Sequence, residues 1–220
     1  MHLLILTGAQ LHAQPTLSHA IFSLRHKVFV DKLGWEAIRS PSGLETDAFD
    51  TDAAIHFVVL TSNGEIAAYS RLLPTTQPHL LSDVYPELLR GQTEQVGEDV
   101  WEWTRTTAIP LPVTHKTQHH AVSDLPFAIN PAGRMLYLGI VEWAVKKDIK
   151  VLSLQCDPSF AGVIKGLGAG AEVVCKESVT KEGKRVVPML MKIREGTVER
   201  MRACFGLEGV VESGLGNGQP

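Results

Sequence analysis

Between residues 132 and 192 the hydrophobic residues switch repeatedly between helical and strand spacing, and that alternation limits the chain to folds in which helices pack on a sheet. From 132 to 147, Leu136, Gly139, Ile140, Trp143 and Ala144 recur at helical intervals. The "IKVLSLQC" that follows is a compact apolar run suited to a buried strand. Helix followed by strand recurs over residues 158 to 177, and "EGK" at 182 to 184 turns the chain into a last strand, "RVVPMLMKI". "GLGAG" at 166 to 170 follows a helix and precedes a strand, the reverse of a dinucleotide fingerprint, so it reads as a helix C-terminal turn.

The first half supplies the rest of the sheet. The apolar run in "MHLLILTGAQ" reads as a first buried strand. Over residues 16 to 30, Leu17, Ala20, Ile21, Leu24 and Val28 mark a helix, with Pro15 and Thr16 as start signals. Residues 31 to 54 have no period and carry Gly34, Pro41 and Gly43, which predicts a long loop of the kind compact domains keep for function. "AIHFVVLTSNGEIAAYSRLLP" gives two strands around Asn63-Gly64, the second ended by Pro74. "HLLSDVYPELL" reads as a short helix, "DVWEWTRTTAIP" as a strand, and a polar connection with Pro112, Pro126 and Pro131 follows. The expectation is one α/β domain over residues 1 to 205, with a central mixed twisted sheet and helices on both faces. Residues 206 to 220 are expected to form a Gly-rich mobile tail.

Composition narrows the function. A chain of 220 residues buries roughly 70% of its unfolded surface, enough for a sizeable core. A net charge of -3 gives no electrostatic reason to expect nucleic acid. The N-terminal apolar run has no basic residues before it and is too short for a membrane span, so no membrane is expected. Cys156, Cys175 and Cys204 show no C-x-x-C spacing, which suggests neither a disulfide framework nor zinc and fits a reducing cytoplasm. "HKTQHH" at 115 to 120 lacks carboxylate or Cys companions and reads as a surface loop, so no metal is expected.

One stretch stands apart. "GLETDAFDTD", residues 43 to 52, carries Glu45, Asp47, Asp50 and Asp52 with no Lys or Arg among them. Like charges this close must be solvated, paired with cations or offered to a ligand. On its own the stretch reads as a solvated acidic loop.

Its company changes that reading. "R-x-x-V-F" at residues 25 to 29, Trp35 in "LGWE", "E-x-D-x-x-D" at 45 to 50, Arg71 in "SRLLPT" and "E-W-T-R" at 102 to 105 are together similar, in order and spacing, to the acyl-homoserine-lactone synthases, the autoinducer synthases of bacterial quorum sensing. Asp52 falls outside the pattern and is left as a solvated charge. The resemblance implies a GNAT-like fold whose strands splay apart to admit a pantetheine arm. It implies two substrates, S-adenosyl-L-methionine (SAM) and an acyl thioester on coenzyme A or acyl carrier protein, with a lactone, methylthioadenosine and free thiol as products and no cofactor. It assigns catalysis to Glu102, Arg105, Arg71 and Glu45, and SAM binding to Arg25, Phe29, Trp35, Asp47, Asp50 and Thr104. The chain departs from the family's usual strand motif at Thr104, where Ser is common, and at Thr106, where an aromatic is common; both bear on acyl selectivity.

The residue types suit this chemistry. Glu102 is the candidate general base for the SAM amine, directly or through water. Phe29 and Trp35 offer faces to a cation, and Arg25, Arg71 and Arg105 are expected to pair with Glu45, Asp47 or Asp50 in a network that orders the loop. Glu102 and Arg105 are three apart and face opposite sides of a regular strand, so lining one site requires a bulge between them. Thr106, Thr107, Leu136, Tyr137, Ile140, Leu152, Leu154 and Phe160 are the candidates for the acyl-thioester pocket. Lys146, Lys147 and Lys150 read as a solvated helix end, with phosphates or an acidic carrier as the alternative. The net negative charge leans towards a coenzyme A donor. The alternative function is a GNAT-type N-acyltransferase that acts on another amine and forms no lactone.

Overall fold

The computed structural model describes residues 1–89, 95–109, 130–167, 170–174, 178–180, 183 and 185–211. Strand β1 (His2–Thr7) opens the chain, followed by helices α1 (Gly8–His12) and α2 (Pro15–Arg25). Strands β2 (Ile55–Leu60) and β3 (Ile66–Pro74), helix α3 (Leu80–Asp83) and strand β4 (Val100–Ala108) complete the first half. The second half runs α4 (Pro131–Lys146), β5 (Val151–Cys156), α5 (Pro158–Gly166), β6 (Ala171–Val173), β7 (Ser178–Val179), β8 (Arg185–Lys192) and α6 (Thr197–Phe205). The strands lie in the order β1-β2-β3-β4-β5-β8-β6, with β7 paired separately to β8. β4 and β5 are parallel and the other pairs antiparallel, which is the expected mixed sheet.

Alternation along the strands fills two faces. Leu3, Phe57, Val59, Leu72 and Trp103 point to the side covered by α4, α5 and α6, and Val58 and Tyr69 pack with Leu11 and Ile21 on the α2 side. Helix α4 begins where Pro131 follows Asn130, whose Oδ1 accepts from the Gly133 N–H at 2.8 Å. It buries almost every residue from Leu136 to Ala144, so a change such as Leu136→Ala removes about 2–5 kcal/mol of packing. Its close approach to β1 needs Gly139, where a Cβ would lie 2.2 Å from Leu3 Cδ2.

Several elements differ from the sequence expectation. Past α2 the helix continues as a π-helix (His26–Lys32), and the Leu33 N–H reaches back five residues to Val28 O. The 61–65 turn uses positive φ only at Gly64, and a register shift at Val59/Leu60 precedes it. The helix expected over 79 to 89 is two pieces, α3 and a 3-10 turn (Pro86–Leu89), because Pro86 has no N–H with which to continue a helix. α1 and α6 were not expected; α6 is short and polar enough that few apolar positions mark it. The expected tail boundary moves: Val210 and Val211 are buried, and their N–H groups donate to Glu142 Oε2 at 2.9 and 2.8 Å. Residues 212–220 lie outside the described residues, as do "HKTQHH", Pro112, Pro126, Cys175 and parts of "GLGAG" and "EGK".

Candidate functional site

β4 is irregular where the sequence argument required it. Arg105 has φ 54, in the left-handed region that non-glycine residues rarely adopt, and the β3–β4 register jumps from Tyr69↔Thr107 to Arg71↔Thr104. Two residues of β4, Arg105 and Thr106, therefore stand against one, Ser70. This bulge turns the Arg105 side chain to the face occupied by Arg71, Thr104 and Glu102. Beside it the parallel pairing of β4 with β5 runs only from Val100↔Val151 to Trp103↔Leu154, although β4 continues to Ala108. The two strands part at the bulge.

The acidic loop is closed over this face by three arginines. Arg25 donates from Nε to Glu45 Oε2 at 2.5 Å and from Nη1 to Asp50 Oδ1 at 2.6 Å. Arg71 grips Asp47 with two donors, at 2.6 and 2.9 Å, and reaches Asp50 at 2.5 Å. Arg105 Nη2 lies 3.0 Å from both Glu45 Oε1 and Asp47 Oδ2. Glu45, Arg25 and Arg71 are wholly buried. Burial alone raises the carboxyls, but the arginines more than offset it, and Glu45, Asp47 and Asp50 all fall below the ordinary carboxylate range. Three cations against three anions leave the network formally neutral. Its carboxylates are spent on the arginines, so the charge that the sequence offered to a ligand is used inside the protein. Asp52 stands clear of the network, its exposed carboxylate 3.2 Å from His12 Nδ1.

Aromatic rings border the same face. Phe29, on the π-helix, and Trp35 pack at a tilt with centroids 5.3 Å apart, and the Arg105 guanidinium lies 5.6 and 5.7 Å from the two rings. Below them the buried Tyr69 hydroxyl meets His56 Nδ1 at 2.9 Å. Burial lowers the His56 ring to about 3, so it stands neutral under Arg25 and Arg71, and burial pushes Tyr69 up to about 12.

Glu102 is wholly buried, and its two oxygens accept from the N–H groups of Leu80 and Leu81 at 2.8 and 2.9 Å at the start of α3. Burial raises its carboxyl above the usual range, against the opposing pull of His79 and the two N–H groups. Its register partner on β5 is Ser153, whose buried Oγ has no hydrogen-bond partner among the described residues. The arrangement holds a carboxyl of raised proton affinity on the face that carries the arginine–carboxylate network.

The structure brings Arg25, Phe29, Trp35, Glu45, Asp47, Asp50, Arg71, Glu102, Thr104 and Arg105 to one side of the sheet; Thr104 Oγ1 accepts from Arg71 Nε at 3.2 Å. The thioester candidates lie on the other side, except Thr107, whose register partner Tyr69 keeps it on the α2 side. Leu136, Ile140 and Leu152 are wholly buried among core residues, whereas Leu154 and Tyr137 adjoin Trp103 at the parting of the strands and half-buried Phe160 lies against Tyr137. Thr106 and Thr107 are half-buried beyond the bulge. Sequence reasoning missed Ser70, which sits across from the bulge, and the His56–Tyr69 pair; a polar residue inside a largely apolar strand was the only signal. An open cleft of about 780 Å³ between α2 and the β2–β3 turn is lined by Leu17, Ala20, Lys27, Ile66 and others and by none of the site residues.

The mixed sheet with its helices is similar in fold to a putative N-acetyltransferase from Lactobacillus plantarum, with a TM-score of 0.54 over 88% of this chain and 100% of that one; at 18% identity the likeness is one of fold alone. The family described as autoinducer synthase matches residues 9–201, and the chain belongs to it. An acyl-homoserine-lactone synthase from Acinetobacter nosocomialis is 36% identical over 120 residues, 54% of this chain. That match spans 65% of the relative, a little under two thirds of its length. A solved CoA-dependent acyl-homoserine lactone synthase, with SAM and isopentyl-CoA, superposes with a TM-score of 0.78 over 95% of this chain and 91% of that one; at 20% identity the likeness is one of fold.

Proposed function

We propose that this chain acylates the amine of SAM from an acyl thioester and then closes the product to an N-acyl-homoserine lactone. The observation that carries the reading is the bulge at Arg105, which sets Arg105, Thr104 and Glu102 on one face, against the loop locked by Glu45, Asp47 and Asp50.

SAM binds on this face with its sulfonium towards Phe29 and Trp35, whose ring quadrupoles favour a cation. Because the carboxylates are neutralised, Arg25, Arg71, Asp47 and Asp50 shape the pocket more than they charge it; Arg105 engages Glu45 and Asp47 through Nε and Nη2, and its Nη1 is the donor for the SAM carboxylate. Glu102, with its raised proton affinity, takes a proton from the ammonium, directly or through water. The freed amine attacks the thioester carbonyl, and the N–H groups at the bulge stabilise the oxyanion. Collapse expels the thiolate, which takes up a proton and leaves an amide. The SAM carboxylate then attacks its own γ-carbon, the C–S bond breaks with its electron pair on sulfur, and methylthioadenosine departs. This closure needs no enzyme nucleophile and no cofactor, only a curled ligand geometry.

The thioester enters where β4 and β5 part, with Thr106, Tyr137, Leu154 and Phe160 nearest its acyl chain. Coenzyme A is the favoured carrier, supported by the CoA-dependent protein of the same fold and by the net charge of -3, with acyl carrier protein as the alternative. The setting is the cytoplasm, with no nucleic-acid or membrane partner; among the described residues no helix is long and apolar enough to cross a membrane.

The test is mass spectrometry of the products formed from purified protein, SAM and a panel of acyl-CoA and acyl carrier protein thioesters. Lactone appearing with methylthioadenosine is expected. Thioester consumption without lactone would replace this reading with a GNAT-type acyltransferase acting on another amine.

A further inference from the structure

Ser70 commits its whole hydroxyl to the bulged strand. It is fully buried and stands across from Arg105 and Thr106, in the gap of the β3–β4 register. A serine hydroxyl has one proton and two lone pairs. Trp103 Nε1, which can only donate, lies 2.7 Å from Ser70 Oγ and takes one lone pair. The Thr104 carbonyl, which can only accept, lies 3.2 Å away and takes the proton. Thr106 Oγ1, at 2.8 Å, must then donate to the second lone pair. No capacity remains, and the direction of each bond is fixed.

The three partners flank Arg105, the residue held at φ 54. On the far side of the same segment, Thr104 Oγ1 accepts from Arg71 Nε at 3.2 Å and donates to Arg71 O at 3.3 Å, so the bulge is pinned from both faces. Through Trp103 the hold extends further: that indole packs edge to face on Tyr137 at 5.3 Å, and Tyr137 leans on Phe160 at 6.3 Å.

We propose that Ser70 is a positioning residue for acyl transfer: its hydroxyl fixes the bulged backbone that faces the thioester carbonyl and, through Trp103, fixes the wall along which the acyl chain lies. Ser70 touches neither substrate. The proposal rests on the reading of the site as an acyl-transfer centre.

The experiment compares wild type with S70A, S70C and T106V. It reads kcat and KM for thiol release, SAM affinity by calorimetry, and the Trp103 indole N–H resonance, assigned with W103F. Ser70→Ala is expected to lower kcat about 100-fold, the scale of a misplaced reacting geometry, with SAM affinity within about twofold of wild type. The Trp103 N–H signal should move and exchange faster with solvent. S70C, which keeps the volume and a weaker donor and acceptor, should recover part of kcat, and T106V should lower it less than S70A does. An S70A protein with wild-type kcat per folded molecule overturns the proposal, as does a loss that merely follows the folded fraction. If wild type itself releases no thiol, the acyl-transfer reading has failed, and an unmoved Trp103 signal in S70A then separately removes Ser70's hold on the strand.

Discussion

Arg105 and Glu45, sixty positions apart in the chain, meet at 3.0 Å in a site both have almost wholly withdrawn from water. Glu45 serves Arg25 as well, so one carboxylate joins helix α2 to the bulge of β4. Replacing it by Gln keeps the volume and strips the charge from a place where two guanidinium groups depend on it. Glu45→Gln is expected to cost about 3–5 kcal/mol of folding stability in urea titration. A loss below about 1 kcal/mol would mean that the loop is held by something other than this network.

The same cluster dictates how stability responds to pH. His56, lowered to about 3 chiefly by burial, takes up a proton on unfolding. Its contribution is therefore complete above the unfolded value of about 6.5 and is lost as pH falls towards 3. Glu45, Asp47 and Asp50 are depressed, so their contribution is complete above about 4 and drains away below it. Urea midpoints should begin to fall between pH 6.5 and 5 and drop more steeply under pH 4, with the first phase reduced in His56→Gln. A midpoint constant from pH 7 down to 5 would contradict the buried neutral imidazole.

Glu102→Gln should lower thiol release about 10²–10⁴-fold while SAM binding stays close to wild type. Because burial raises the Glu102 carboxyl, the wild-type rate should climb with pH through a value above the ordinary carboxylate range, and Gln should abolish that limb. A Glu102→Gln enzyme with normal turnover and an unchanged pH profile would remove Glu102 from the chemistry.

Trp35→Ala takes away one of the two rings beside Arg105. SAM affinity should weaken about tenfold, in line with a desolvated cation–π contact, while KM for the thioester stays within about twofold. Equal losses for both ligands would assign Trp35 to packing of the loop.

Much of this was legible in the chain. The helical stripe of Leu136, Ile140 and Trp143 and the compact run of β5 declare themselves because their neighbours in space are also their neighbours in sequence pattern. The bulge was legible by a different route: Glu102 and Arg105 share a face only if β4 breaks its alternation, and the φ of Arg105 is that break. The neutrality of the acidic loop was harder to see, because its cations come from positions 25, 71 and 105 and their stoichiometry is a fact of three dimensions. The packing of residues 210 and 211 was missed for a similar reason. Val210 and Val211 sit among glycines, and the carboxylate that fastens them, Glu142, lies in the middle of an otherwise buried helix. Ser70 carried no signal beyond a small polar residue inside β3, since its importance comes from a register gap that local composition does not encode.

The ionic network also sets an order of events during synthesis. Its members span residues 25 to 105, so a chain emerging from the ribosome carries Arg25 and the acidic loop into water long before Arg105 exists to lock them. Until β4 has docked, the loop-closure entropy is unmet and six ionic groups remain hydrated, which keeps the nascent half-domain soluble but without a formed site. The binding face is thus formed only when β4 docks, in the step that joins the first four strands of the sheet.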